Sequence, residues 1–332
     1  MSAVAVLGAG SWGTALAAHL AAKGESVRIW AFEAEVVAGI NQGHENPVYL
    51  PGIALPPGLR AYADAADAVR GAPVVLSVSP SHVTRSVLRP LASAVDPAAL
   101  VVSATKGIEQ DSLALMHEVI AECLPGRPVA VLSGPSFAKE VAEGQPTAVV
   151  AASTAAEAAA RTQALFAGRR FRVYSHDDVT GVELGGALKN VVAIAAGMLE
   201  GLGLGHNPRA ALITRGLAEM TRLGVAMGGD PLTFAGLAGM GDLILTCTGG
   251  LSRNRSLGEF LGRGGSAADW VRENRMVAEG ARTADAAVRL AARHGVELPI
   301  CSQVAAILRG EQRAADAVVE LMERDLKAEQ WR

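Results

Sequence analysis

This chain has few cysteines, few aromatic residues and no surplus of charge, and each shortage removes a class of function. Three cysteines, Cys123, Cys247 and Cys301, are spread along 332 residues without a C-x-x-C pair. They fit free thiols in a reducing compartment and supply neither a disulfide framework nor a zinc site. Aromatic residues make up only 4% of the chain and are not interleaved with basic ones, so a stacking platform for nucleic acid is not expected. A formal net charge of −3 gives no general field for a polynucleotide or a membrane surface, and any anion must be caught by local groups. No 18-residue apolar run is free of charge or glycine, and residues 1–7 lack a basic flank, so neither a spanning helix nor a signal peptide is expected. The seven histidines include no H-E-x-x-H motif, and His19 reads as a helix-surface or packing residue. We expect a cytoplasmic protein without a metal.

What the chain does have is glycine and apolar surface. Half of its residues are hydrophobic and 19% are charged, and its length suggests two cores. Everything can be placed relative to Val4-Ala-Val-Leu-Gly8-Ala-Gly10-Ser-Trp-Gly13-Thr-Ala, which joins an apolar strand to a helix through a glycine turn. Gly8 allows the tight exit, Gly10 lets backbone approach a pyrophosphate, and Gly13 lets the helix lie close to the sheet. The free N–H groups and the positive end of the helix dipole then favour an anion. The second strand should end near Trp30-Ala31-Phe32-Glu33, where no basic residue stands to receive a 2′-phosphate.

Apolar runs at 3–7, 27–31, 74–78, 100–104, 129–133, 147–152 and 171–174 suit strands covered on both faces. Helical patterns lie between them at 11–23, 33–42, 62–70, 81–95, 111–123 and 155–167. Right-handed crossovers predict a Rossmann-type doubly wound α/β sheet. From Asp177 the strand pattern stops, and 178–200, 206–227, 231–239, 252–263, 280–294, 300–309 and 312–327 read as helices. We therefore expect a dinucleotide-binding domain over 1–177 and an all-helical substrate domain over 178–332. The second should cover the carboxyl ends of the strands and complete a cleft.

Three strand ends stand out. Ser77-Val-Ser79-Pro80-Ser81-His82 is either an ordinary helix start or a set of donors beside a nucleotide. Ala104-Thr-Lys106-Gly107 puts an ammonium at a strand tip, for structure or for a phosphorylated or carbonyl substrate. Leu132-Ser-Gly134-Pro-Ser136 leads into a helix N-terminus that could hold a small polar ligand. In the helical half, Lys189 and Asn190 sit in the middle of a glycine-rich apolar helix. A lysine buried there loses hydration and its pKa falls toward neutrality, which makes it a proton donor and acceptor; the alternative is a lysine snorkelling to solvent. With 25 arginines against five lysines, arginine could have supplied a mere positive charge. Asp242 could orient Lys189 or accept a substrate hydroxyl. Ser252 reads as an N-cap, with Arg253 and Asn254 in a first turn that either receives phosphate oxygens or is a solvated basic helix start.

The glycine loop together with Ala104–Gly107, Ser133-Gly-Pro-Ser-Phe-Ala-Lys-Glu140, Ala187-Leu-Lys-Asn-Val191, Leu212-Ile-Thr-Arg-Gly-Leu-Ala-Glu-Met220, Gly241-Asp-Leu-Ile-Leu-Thr-Cys-Thr248 and Ser252-Arg-Asn-Arg255 resembles the bacterial NAD(P)-dependent glycerol-3-phosphate dehydrogenases. The resemblance implies interconversion of glycerol 3-phosphate and dihydroxyacetone phosphate with NAD or NADP, feeding phospholipid synthesis. It makes Lys189 the proton acceptor and donor. It places substrate against Lys106, Gly134, Ser136, Asp242, Ser252, Arg253 and Asn254. It places dinucleotide against Ser11, Trp12, Tyr49, Lys106, Ala138, Arg253, Val277 and Glu279, of which Tyr49, Ala138, Val277 and Glu279 have no signal in spacing. Lys106 would stabilise the oxyanion and lower the pKa of Lys189 by repulsion. A homodimer is expected, with no nucleic-acid partner and no stable membrane insertion. The other readings are a β-hydroxyacid dehydrogenase of the same two-domain plan and a non-enzymatic dinucleotide sensor. NADP-preferring members commonly carry Arg or His just after the second strand, so Ala31-Phe32 predicts NADH used at least comparably to NADPH.

Overall fold

Apolar residues on both faces of the central strands decide how the first half is built. Strands β1 (Ala3–Leu7), β2 (Ser26–Trp30), β3 (Leu59–Tyr62), β4 (Val74–Ser77), β5 (Leu100–Ser103), β6 (Val129–Ser133), β7 (Thr147–Ala152) and β8 (Phe171–His176) form one sheet in the order β3-β2-β1-β4-β5-β6-β7-β8. In this computed structural model, residues 3–274, 278–326, 328 and 329 are described. Val4 and Val6 of β1 join one buried cluster with Leu16 and Leu20, while Ala5 and Leu7 join another with Met116, Val119 and Ile120. Successive side chains thus bury on opposite faces, and helices cover both.

These helices are α1 (Ser11–Ala22), α2 (Ala34–Ala38), α3 (Ala65–Val69), α4 (Thr84–Leu88), α5 (Met116–Cys123), α6 (Ala138–Ala142) and α7 (Ala156–Phe166). Strand order reverses at β1, whose neighbours are β2 and β4, and there the crevice for a ligand opens at the carboxyl ends. All strand pairs are parallel except β6 with β7.

Several elements differ from the sequence reading. Residues 59–62 form an edge strand, with Leu59 and Ala61 buried and Arg60 exposed, so only a four-residue alternation marked it. The helix expected at 62–70 shrinks to α3, capped by the Asp64 carboxylate. The expected 111–123 helix starts only at Met116, because Leu113 takes a positive φ of 65° and Ile108 bridges to Leu115. Pro90 breaks the 81–95 pattern into short turns around α4.

From Val179 onward the described chain is helical: α8 (Val179–Gly201), α9 (His206–Ala226), α10 (Pro231–Ala235), α11 (Asp242–Thr248), α12 (Arg253–Gly262), α13 (Ala267–Glu273), α14 (Glu279–Arg293), α15 (Pro299–Leu308) and α16 (Ala314–Met322). The expected 231–239 helix ends at Ala235, and a π-type turn over Leu237–Gly241 hands the chain to α11. Helix α8 is long and apolar enough to cross a membrane, yet it is wholly buried by its neighbours and serves as the core of the helical half. It meets α12 backbone to backbone. A methyl added at Gly197 would land on the Arg255 carbonyl oxygen, and one at Gly258 on that of Ile194. The seam needs glycine on both helices.

Candidate active site

The phosphate loop divides its three glycines by task. Gly8 has φ +117°, and a Cβ there would lie 2.9 Å from the Ser79 nitrogen. A Cβ on Gly13 would fall on the Gly8 carbonyl oxygen. Around Gly10 an added Cβ meets nothing within 4 Å, so this glycine faces open space at the N-terminus of α1. A pyrophosphate fits that cradle.

Tyr49 is tied to the loop. Ser11 Oγ donates to the Tyr49 carbonyl at 2.6 Å, and Asn46 Oδ1 accepts from the Tyr49 nitrogen at 3.0 Å. The Asn46 amide donates to the Ala9 carbonyl and to Thr14 Oγ1, both at 2.8 Å. Asn46 carries no signal in the sequence, since it lies outside every apolar run and helical pattern. Trp12, Tyr49 and Ala138 pack against the same core, and the buried Trp12 indole nitrogen has no hydrogen-bond partner among the described residues. Arg28 does not reach this edge: its guanidinium donates to the carbonyls of Asp67 and Arg70 at the end of α3.

Beyond β5 lies Lys106. Its Nζ donates to Asp242 Oδ2 at 2.6 Å and to the Gly134 carbonyl at 3.1 Å. Lys189 Nζ, buried in the middle of α8, donates to the other Asp242 oxygen and to Thr246 Oγ1 at 2.9 Å. Asp242 starts α11, Thr246 stands one turn later, and the π-type turn before them aims both at α8. Burial brings the Lys189 pKa down to about 7, against the pull of Asp242 and with the push of Lys106. Lys189 is only 6% exposed, so its side chain does not snorkel to solvent. A Cβ on Gly186 would press on Ser133 Oγ at 2.7 Å and touch the Lys106 stem, so the α8 glycines make room for the opposing lysine. Thr246 was missed; its i, i+4 spacing from Asp242 was the available signal.

A chain of polar groups runs from Asn190, the residue after Lys189, to the next helices. Neighbouring Asn190 offers Oδ1 to the Asn254 amide at 2.9 Å, and Asn254 Oδ1 accepts from the Gly280 nitrogen at 2.9 Å. Ser252 caps α12 through the Arg255 nitrogen at 3.2 Å. Arg255 is committed to an ion pair with Glu200, whereas Arg253 makes no hydrogen bond or ion pair among the described residues. Loss of hydration lowers the pKa of Arg253, and Glu279 and Tyr49 act against that shift. Ser81 Oγ donates to Glu279 Oε2 at 2.9 Å, which ties the Ser77–His82 segment to α14. Burial raises the Glu279 pKa, and the Ser81 bonds oppose that shift. Ser136 Oγ turns back to the Gly134 carbonyl at 2.9 Å. Val277 lies outside the described residues.

A nucleotide cradle at a sheet switch point, facing two lysines that share one carboxylate, defines the class of two-part nicotinamide-dependent dehydrogenases. Comparison with known proteins narrows the class. Residues 3–159 match the family model described as NAD-dependent glycerol-3-phosphate dehydrogenase N-terminus, and residues 178–319 match that of its C-terminus. The chain is 56% identical over 331 residues to glycerol-3-phosphate dehydrogenase [NAD(P)+] of Geobacter sulfurreducens, covering 99% of each. The crystal structure of glycerol-3-phosphate dehydrogenase from Coxiella burnetii superposes with a TM-score of 0.94 at 44% identity, over 97% of this chain and 99% of that one. The chain belongs to the NAD-dependent glycerol-3-phosphate dehydrogenase family.

Proposed function

We propose that the protein interconverts sn-glycerol 3-phosphate and dihydroxyacetone phosphate with NAD or NADP. The carrying observation is Lys189, buried with a pKa brought to about 7 and paired through Asp242 to Lys106. A dinucleotide bound at the glycine loop supplies or accepts the hydride at its nicotinamide carbon. Ser11, Trp12, Tyr49 and Ala138 line the side from which it is held. In reduction, protonated Lys189 gives its proton to the substrate C2 oxygen; in oxidation, neutral Lys189 takes it back. Lys106 stabilises negative charge on that oxygen, and Asp242 orients both ammonium groups. Arg253, with the Ser252 and Asn254 end of α12, anchors the phosphate away from the reacting carbon. Gly134 and Ser136 border the substrate from the sheet side, and Val277 and Glu279 extend the dinucleotide surface.

The division into a dinucleotide domain over 1–177 and a substrate domain over 178–332 belongs to this reading. So do a cytoplasmic homodimer without membrane insertion and a role in supplying phospholipid precursors. The deciding experiment mixes protein, NADH and dihydroxyacetone phosphate and follows loss of absorbance, with a panel of 3-hydroxy and 3-keto acids alongside. Turnover of the phosphorylated ketone above all others supports the proposal. Preference for a carboxylate substrate would favour a β-hydroxyacid dehydrogenase, and dinucleotide binding without turnover a sensor.

A further inference from the structure

We infer that Glu183 of α8, gripping His117 at the start of α5, is a positioning residue that fixes Lys106 against Asp242 and Lys189. The inference rests on the proposed reaction, in which the two lysines act, and it assigns a residue outside the site that sets their spacing. Glu183 is a carboxylate only 4% exposed, and the reaction gives it no task. One of its oxygens accepts from the His117 backbone nitrogen at 3.0 Å, and the other meets the ring Nδ1 of the same residue at 2.6 Å. His117 is the second residue of α5, so its N–H is among those that a helix start leaves free. Burial disfavours the charged form of each partner, and the bond to the other offsets that cost. Glu118 of α5, a second carboxylate whose charge bears on the pair, is turned to the Leu115 nitrogen at 2.7 Å.

The tie matters because of what hangs from α5. Lys106 and His117 stand at the two ends of one excursion between β5 and α5, and Ile108 bridges to Leu115 across its base. Ile108, Leu113 and Leu115 are buried with Leu184, Leu188 and Val191 of α8, in the core of the helical half and not with the sheet. A ring of contacts then closes: Glu183 to His117, Leu115 to Ile108, Lys106 to Asp242, and Asp242 to Lys189. Glu183 and Lys189 lie on the same helix, about 9 Å apart along its axis, so α8 sets the width of the ring. Inside it the Lys106 stem lies close to α8, where a Cβ on Gly186 would stand 3.5 Å from its Cγ. Arg289 donates to the Gln110 carbonyl and Arg293 to that of Ser112, and both hold the exposed tip of the excursion. The Glu183 tie is buried and acts at the base, where a shift of α5 passes to Lys106.

The test reads Lys189 itself. With isotope-labelled lysine in the full chain, the five lysine side chains give signals assigned by single arginine replacements, and the Lys189 midpoint follows by titration without turnover. Asp242, Lys106 and Cys247 are the titratable groups around it; burial lowers its pKa, Asp242 opposes, and the Lys106 charge adds to the lowering. A Lys106 that draws back takes its share of that push with it. Glu183→Leu, which fills the space without an acceptor, should raise the Lys189 midpoint by about half a pH unit or more and lower kcat roughly 10- to 100-fold, with the dinucleotide KM unchanged. Glu183→Gln keeps an acceptor for the His117 nitrogen and should recover most of both effects. Lys106→Gln should raise the midpoint by itself, and adding Glu183→Leu to it should raise it no further. His117→Leu cuts the ring half of the tie and should shift the midpoint part of the way, a reading that stands even where Glu183→Leu fails to fold. A midpoint unmoved in the folded variants, with only the unfolding temperature lowered, overturns the inference. A further shift in the double variant overturns the route through Lys106. The expected shifts in a chain that does not turn over dihydroxyacetone phosphate would strike the proposed reaction and uphold the positioning role.

Discussion

Lys189 brings an ammonium into a helix interior where hydration is lost, and its partners there are Asp242 and Thr246. Its pKa of about 7 puts both protonation states within reach of neutral pH. The sign follows from the proposed role. Oxidation needs the neutral amine, so kcat in that direction should rise with pH through about 7. Reduction needs the ammonium, so its kcat should fall over the same interval. Lys189→Arg keeps a charge that cannot be exchanged near neutrality and should lose roughly 10² to 10⁴-fold in kcat, with a smaller change in KM. Near-normal turnover in that variant would end the proton-transfer assignment. Arg253→Ala removes charge-assisted bonds each worth about 1.5–3 kcal/mol. It should raise KM for dihydroxyacetone phosphate steeply while leaving the poor activity on unphosphorylated dihydroxyacetone little altered. Equal losses on both substrates, in parallel steady-state assays, would move Arg253 out of phosphate binding.

At the scale of elements, the seam between α8 and α12 joins Asn190, next to Lys189, to Asn254 in the first turn that also carries Arg253. Gly197→Ala would drive a methyl into the Arg255 carbonyl, a backbone atom with no rotamer to yield. It should cost about 1–3 kcal/mol of stability and lower kcat/KM. Gly205→Ala, with nothing within 4 Å of its new Cβ, is the control; as the N-cap of α9 it should cost no more than about 1 kcal/mol and leave kcat/KM unchanged. Thermal unfolding with matched kinetics separates the two, and equal behaviour would show that the seam can spread. Strands of this fold were legible where both faces are buried, as in β1, β4 and β5, because an unbroken apolar run is hard to mistake. The edge strand β3 presents one buried face over four residues and left almost no pattern. The π-type turn before α11 was invisible for another reason: its glycines fit a turn, a cap or a helix equally well.

The two halves of the molecule meet through an apolar patch, Val131 and Val150 against Val179 and Val182, and through charged and polar ties. Asp242 joins Lys106 beyond β5 to Lys189 on α8, Glu279 of α14 receives Ser81, and Glu183 of α8 accepts from the His117 backbone nitrogen at 3.0 Å. Asp242→Asn removes the group that supports the charged form of Lys189 while Lys106 remains beside it. The pKa of Lys189 should fall further, moving the limb of the oxidation profile toward acid as its height drops. A profile that keeps its midpoint would mean that Asp242 does not govern the lysine. Such long-range ties explain which parts of the site could be read beforehand. Lys106, Lys189, Asp242 and Arg253 stood out as charges in apolar or glycine-rich settings. Asn46 and Thr246 are small polar residues in ordinary surroundings, and only the folded chain shows what they hold.

A joint closed by main-chain atoms has no side chains with which to breathe. On the proposed function, the glycine seam of α8 and α12 works as a caliper, with the proton-transferring Lys189 on one jaw and the phosphate anchor on the other. A ligand with one more carbon between hydroxyl and phosphate should therefore turn over more slowly, and equal kcat/KM for the two lengths would show that the joint yields. On that reading, chain-length discrimination is a property of backbone contact, set by the scaffold.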